Sequence, residues 1–268
     1  MQKKLAVFTF MVVMVISGTA LMPEDRPPEN MVYIPAGAYL PQFEGDSNKV
    51  EVESFYLDKY PVTNAAYYHF LQKYPEWQRQ NVKPVFTDKA YLRHWPNDVN
   101  QQSDLGELRN KPVVNVSWFA AKKYCECQGK RLPTVNEWEF VALASETRPI
   151  GADDPQFNQR VLDWYSKPSD KLPGDVGSTF KNFYGVYDIY GLVWEWVLDF
   201  NTAMIGARFG TDANMDANLF CGSGASGATD RGNYVAFMRY AFRSSLKANY
   251  SVGNLGFRCA KDVKDEKH

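Results

Sequence analysis

Twelve residues from Gly129 to Phe140, GKRLPTVNEWEF, constrain this chain most, because they stop one helix and start another within a single corner. Thr134 is a good helix N-cap and Glu137 stands three residues on, so the pair reads as a capping box in which each side chain satisfies a free backbone N–H. Pro133 keeps the preceding segment out of the helix, and Gly129 suits the left-handed turn that ends the helix before it. That earlier helix runs from Ser117, its cap, towards Cys125, with Ala121, Tyr124 and Cys125 on one face. Two helices are therefore expected to meet at a tight corner, with Trp138 just beyond it.

The chain begins with two lysines, an apolar run from Leu5 to Ile16, and small residues up to Ala20. Such a run is too short to span a bilayer comfortably and fits a cleaved export signal. The expectation is a periplasmic or secreted protein with a signal peptide over 1–20, a Pro-rich leader over 21–30, one domain over 31–262 and a charged tail over 263–268. No integral membrane span is expected in the mature form. At 45% hydrophobic and 15% aromatic residues the domain can build a substantial core, and a net charge of −1 argues against nucleic acid or an anionic membrane surface as partner.

Met31 to Leu40 and Lys49 to Asp58 read as strands, the second with its alternation shifted at Phe55 as a bulge would shift it. Thr63 caps a helix carrying Tyr67, Phe70, Leu71 and Tyr74 at helical spacing, and Pro75 ends it. Glu76 to Asn110 reads as an ordered, aromatic surface excursion, since long loops of this kind are often functional. Glu146 to Phe180 shows no convincing period. Tyr240 to Arg243 and Gly256 to Ala260 read as short strands.

With only three histidines, His69, His94 and His268, the chain lacks the parts for Ser-His-Asp catalysis or a multi-histidine metal centre. Its four cysteines permit three pairings. Cys125 and Cys127 lie about 200° apart round a helix axis and cannot easily pair with each other.

Five blocks in order resemble the formylglycine-generating enzymes, the sulfatase-modifying factors. They are PVTNAAYYHF from Pro61, NVSWFAAKKYC from Asn115, the Gly129 stretch itself, NFYGVYDIYGLVWEWVLD from Asn182, and FRSS from Phe242 followed by NLGFRCA from Asn254. The resemblance implies a single compact α+β domain with much irregular structure, related to the C-type lectin fold. It also implies a disulfide between Cys125 and Cys259, leaving Cys127 and Cys221 as a second pair or as free thiols.

In that family two cysteines bind copper(I) and engage the substrate cysteine, and alignment on Arg239 to Ser245 places them at Asp230 and Val235. A carboxylate and an isopropyl group supply neither soft copper ligands nor thiol exchange. Cys221, in a Gly/Ser-rich loop, is the candidate for a displaced thiol. A calcium site carries over as Asp188 and Glu195 through their side chains and Gly191 and Val193 through their carbonyls, with Leu192 where the family has asparagine. Of the second calcium site only Asp163 remains. The resemblance thus implies an accessory that binds or helps mature another exported protein or peptide, with copper proteins and nitrite reductases as the neighbourhood of such relatives. The alternative is a divergent oxidase of protein cysteines that uses Cys221.

Overall fold

The computed structural model describes residues 27–41, 49–96, 99, 101–166, 172–201 and 231–263, with side chains from 238 onward in the last segment. The expected signal peptide, Cys221 and Asp230 lie outside the described residues. No helix among them is long and apolar enough to cross a membrane.

The first expected strand is two, β1 (Met31–Ile34) and β2 (Gly37–Tyr39), parted at Pro35, which has no N–H to give a ladder. The second is also two, β3 (Val50–Val52) and β4 (Phe55–Asp58). The shift at Phe55 is therefore a change of sheet and not a bulge: β3 pairs with β2, whereas β4 pairs with β1. Both breaks serve one end, because Phe55 and Leu57 are buried under the sheet that β1 and β4 share.

Helix α1 (Asn64–Lys73) starts where Thr63 accepts the Ala66 N–H, and Tyr67, Phe70 and Leu71 are buried along it. The excursion after α1 is ordered by Asn64, whose Nδ2 donates to the carbonyls of Leu108 and Lys111 while its Oδ1 accepts from Trp95 Nε1 at 2.7 Å. Tyr67 and Tyr91 share a buried hydroxyl hydrogen bond of 2.7 Å, so the excursion packs into the core and does not merely lie on it.

Helix α2 (Trp118–Cys127) is capped by Ser117 and buries Ala121, Tyr124 and Cys125 as its spacing predicts. Gly129 takes φ +66°, and α3 (Val135–Ala142) opens with both halves of the capping box: Glu137 N–H donates to Thr134 Oγ1 at 3.2 Å and Thr134 N–H to Glu137 Oε2 at 2.8 Å. Arg131 clamps Glu137 with two nitrogens at 2.7 and 2.6 Å, which fixes the corner between the helices.

Helix α4 (Pro155–Ser166) follows where the sequence showed no period, because it buries only Phe157 and Val161. After β5 (Trp194–Trp196) comes α5 (Arg231–Ser244). The expected strand at Tyr240 to Arg243 is thus the end of a helix, whose i, i+4 spacing lets Arg239 and Arg243 reach one carboxylate, Glu139. The expected last strand also splits, into β6 (Leu255–Phe257), parallel to β5, and β7 (Ala260–Asp262), antiparallel to β4. Between them Arg258 turns inward and Cys259 bonds to Cys125, their Cα atoms 5.6 Å apart. These short strands and helices, joined by long irregular stretches, make one compact α+β domain.

A cleft walled by aromatic rings and backed by buried ion pairs

The segment from Asp188 to Glu195 carries most of the polar architecture around a cleft. Asp188 and Leu192 hold φ of 63° and 59°, conformations that side chains other than glycine seldom adopt and that gather where a backbone is over-determined by its surroundings. At Gly191 a Cβ would come within 2.6 Å of Thr179 Oγ1, so only glycine fits between the two turns. Asp188 is fully buried and its carboxylate accepts from Gly177 N–H at 2.5 Å, Thr179 N–H at 3.0 Å and Thr179 Oγ1 at 2.6 Å.

Glu195, at the centre of β5, accepts from Arg258 Nε through both oxygens at 2.9 Å, from Arg258 Nη2 at 2.7 Å and from Trp138 Nε1 at 2.9 Å. Asp188 and Glu195 are hard oxygen donors of the kind calcium takes, but the Asp188 carboxylate is held by Gly177 and Thr179, the Glu195 carboxylate by Arg258 and Trp138, and the Gly191 carbonyl by the Val193 N–H, so a calcium ion would have to share or displace these partners. Among the described residues no three His, Cys, Asp or Glu side chains gather as a metal cluster. Asp163 does not join this set; it lies on α4 and accepts from Gln159 Nε2.

The cleft encloses about 1170 Å³ between α4, the Leu172–Pro173 segment and the Tyr190–Trp194 turn, with Gly253 and Asn254 at its far side. Trp164, Tyr165, Tyr190 and Trp194 form its apolar wall, with ring centroids 5.0 Å apart for Trp164 and Trp194 and 5.3 Å for Tyr165 and Trp194. Phe242 of α5 backs the wall, 4.2 Å from Trp194. Gln156, Gln159, Arg160 and Asp163 present the polar side from α4, and Asn254 adds a carboxamide opposite. Burial pushes the Tyr165 phenol up to about 12 against the pull of Arg239, so at neutral pH it keeps its proton.

Behind this wall lies Glu139, which binds Arg239 and Arg243 at 2.6 Å each. Burial opposes its charge, and the two guanidinium groups outweigh that and hold its carboxyl below the usual range. Arg239 stacks against Tyr190 at 5.7 Å and Arg243 against Trp138 at 5.0 Å. Sequence reading missed this network; the i, i+4 arginines after a predicted helix bearing Glu139 were its only signal. Val235 lies on α5 one turn before Arg239, and its side chain is not described. Cys127 carries a free thiol away from these groups, near Tyr74.

A family model described as "Sulfatase-modifying factor enzyme 1-like domain" matches residues 18–263. The chain is 29% identical to the formylglycine-generating enzyme of Mus musculus over 87% of this chain and 75% of that protein. It is 31% identical to the inactive C-alpha-formylglycine-generating enzyme 2 of the same species, over 87% of this chain and 86% of that protein. Among solved structures that of CarF shares its fold, with a TM-score of 0.50 at 17% identity over 87% of this chain and 98% of that one.

Proposed function

The chain belongs to the sulfatase-modifying factor enzyme 1-like family, and from that premise we propose that it is an exported accessory that binds a segment of another exported protein in the aromatic cleft without oxidising it. The observation that carries this reading is a large cleft beside α5 in a chain with a carboxylate at 230 and an isopropyl group at 235, where the family's oxidases have thiols. Its relatives include formylglycine-generating enzymes and a protein named inactive, so membership is compatible with either outcome.

The cleft suits such a segment on physical grounds. Aromatic rings accept apolar or proline side chains of an extended chain, and carboxamides such as Gln156, Gln159 and Asn254 can pair with its backbone N–H and C=O groups. Calcium, where bound, would be held by Asp188, Glu195 and the carbonyls of Gly191 and Val193, and would stiffen the turn that carries Tyr190 and Trp194. Its role in this reading is structural.

The test is to incubate the purified, copper-loaded protein with a peptide containing Cys-x-Pro-x-Arg and follow its mass, while tryptophan fluorescence reports binding. Binding without conversion is expected, and Trp164→Ala should weaken it. Conversion of the cysteine, lost in Cys221→Ser together with copper(I) binding, would overturn the accessory reading in favour of the divergent oxidase.

A further inference from the structure

Charge is distributed unevenly across the cleft. On its α4 side Arg160 is spent on Glu146 at 3.2 Å and Asp163 stands exposed, so no spare cation is found there. The far side differs. Arg93 Nη2 lies 4.0 Å from where a Cβ on the lining residue Gly253 would stand, which puts a guanidinium just beyond that edge of the cleft.

Two stretches build the surface around Arg93. Residues 79–96 carry Arg79, Lys83, Lys89 and Arg93 against Asp88 alone, and residues 245–254 carry Lys247 and no acidic residue. They are joined at Asn115, whose N–H donates to the Val252 carbonyl and whose carbonyl accepts from the Leu92 N–H, and at Asp88, whose Oδ2 accepts from the Ser251 N–H. Leu92 and Asn115 hold φ of 50° and 52°, strained conformations that persist only where the surroundings fix the backbone, so the stretch bearing Arg93 is firmly held. The other oxygen of Asp88 is taken by the Ala90 N–H. Lys89, Arg93 and Lys247 are exposed, and among the described residues no carboxylate comes within ion-pair distance of any of them. Lys247 Nζ lies 5.7 Å from the centre of the Tyr250 ring, which leaves its charge unneutralised. Like charges gathered on one face repel one another and are relieved by a partner of opposite sign.

We propose that this face receives acidic residues flanking the segment held in the cleft, so that the partner is a peptide stretch with an apolar core and carboxylates at the end that runs over Gly253. This inference rests on the cleft being a binding site and adds the charge of what lies beside it. Exposed ion pairs are individually weak, so the carboxylates contribute selectivity and faster encounter more than affinity.

Fluorescence anisotropy of the full-length protein with labelled Asp-Asp-Gly-Pro-Trp-Pro-Gly-Asp-Asp, and with the same peptide carrying Asn for every Asp, tests it. Acids at both ends make the result independent of chain direction. The acidic peptide is expected to bind about 10-fold tighter at low salt, as for several weak pairs acting together, and the preference should collapse at about 0.5 M salt. The double variant Arg93→Glu, Lys247→Glu should lose the preference and bind the Asn peptide as the wild type does, with thermal melts showing that it folds. Trp164→Ala should weaken both peptides by a similar factor, as one continuous surface requires. Equal binding of the two peptides by the wild type, or a preference that survives in the double variant, would overturn the inference and leave the cleft reading standing. Binding of phosphatidylglycerol vesicles without a preference between the peptides would assign the face to a lipid surface and overturn it too. An acidic peptide indifferent to Trp164→Ala would separate the charged face from the cleft and overturn their continuity. If neither peptide binds, both the inference and the cleft reading fail.

Discussion

Arg258 meets Glu195 with neither side chain exposed, Nε at 2.9 Å from each carboxylate oxygen and Nη2 at 2.7 Å from one. The same guanidinium donates to the carbonyls of Asp58, Lys59 and Tyr187, so one buried charge ties the end of β4, the cleft turn and β5 to the segment before β7. A buried pair of this kind adds little over a well-packed apolar pair, but removing one partner strands the other.

Glu195→Gln is therefore expected to lower stability by about 3–5 kcal/mol, measured by urea denaturation at neutral pH. Most of this loss should persist in a calcium chelator, since it comes from leaving Arg258 uncompensated. A loss that disappears in chelator would mean that Glu195 acts through the metal alone.

Calcium in excess should raise the melting temperature of the wild type, because it binds the folded turn and finds no preformed site in the unfolded chain. Asp188→Asn should remove that increment; its Oδ1 can still accept from Thr179, but its Nδ2 would then face the Gly177 N–H, so the variant should also melt lower than the wild type in chelator. A melting temperature indifferent to calcium and chelator would take the ion out of this fold.

The Cys125–Cys259 bond closes a loop across 134 positions. Chain-entropy reasoning puts its contribution at about 4–5 kcal/mol, so Cys259→Ser should be strongly destabilised and should leave Cys125 open to alkylation. In the wild type a non-reducing peptide map should show Cys125 joined to Cys259 and Cys127 alkylatable. Cys125 found on any other partner would break the link between α2 and the last strand.

His94 titrates far below its ordinary range. Burial lowers it to about 4, with Arg79 and Arg93 adding to the effect and a hydrogen bond with Asn115 opposing it. The unfolded chain takes up this proton near pH 6.5 and the folded chain does not, so stability is full above pH 6.5 and falls as pH drops towards 4. By pH 5 the loss should reach about 2 kcal/mol. His94→Gln should flatten the slope between pH 6.5 and 5; a slope identical to wild type would mean that other groups carry it.

What a residue does with neighbours three or four positions away was legible in the sequence. The caps at Thr63, Ser117 and Thr134, the box with Glu137 and the left-handed Gly129 all formed as read, because both partners lie inside one short stretch and need no tertiary contact. The five ordered blocks likewise carried the family, and with it the pairing of Cys125 with Cys259, which spacing alone had left open.

The tertiary structure decided where the long extended stretches break and what the buried charges do. Val52 and Phe55 belong to different sheets only because β2 and β1 offer them different partners. Tyr240 to Arg243 is helical because Glu139, 100 and 104 residues away in sequence from Arg239 and Arg243, receives both guanidinium groups. Arg258 can lie fully buried only because Glu195, 63 positions distant, is brought against it. A lone buried charge is prohibitively costly, so the sequence by itself determined local turns and helix ends, while the folded chain alone could bring together the charges that lie behind the cleft.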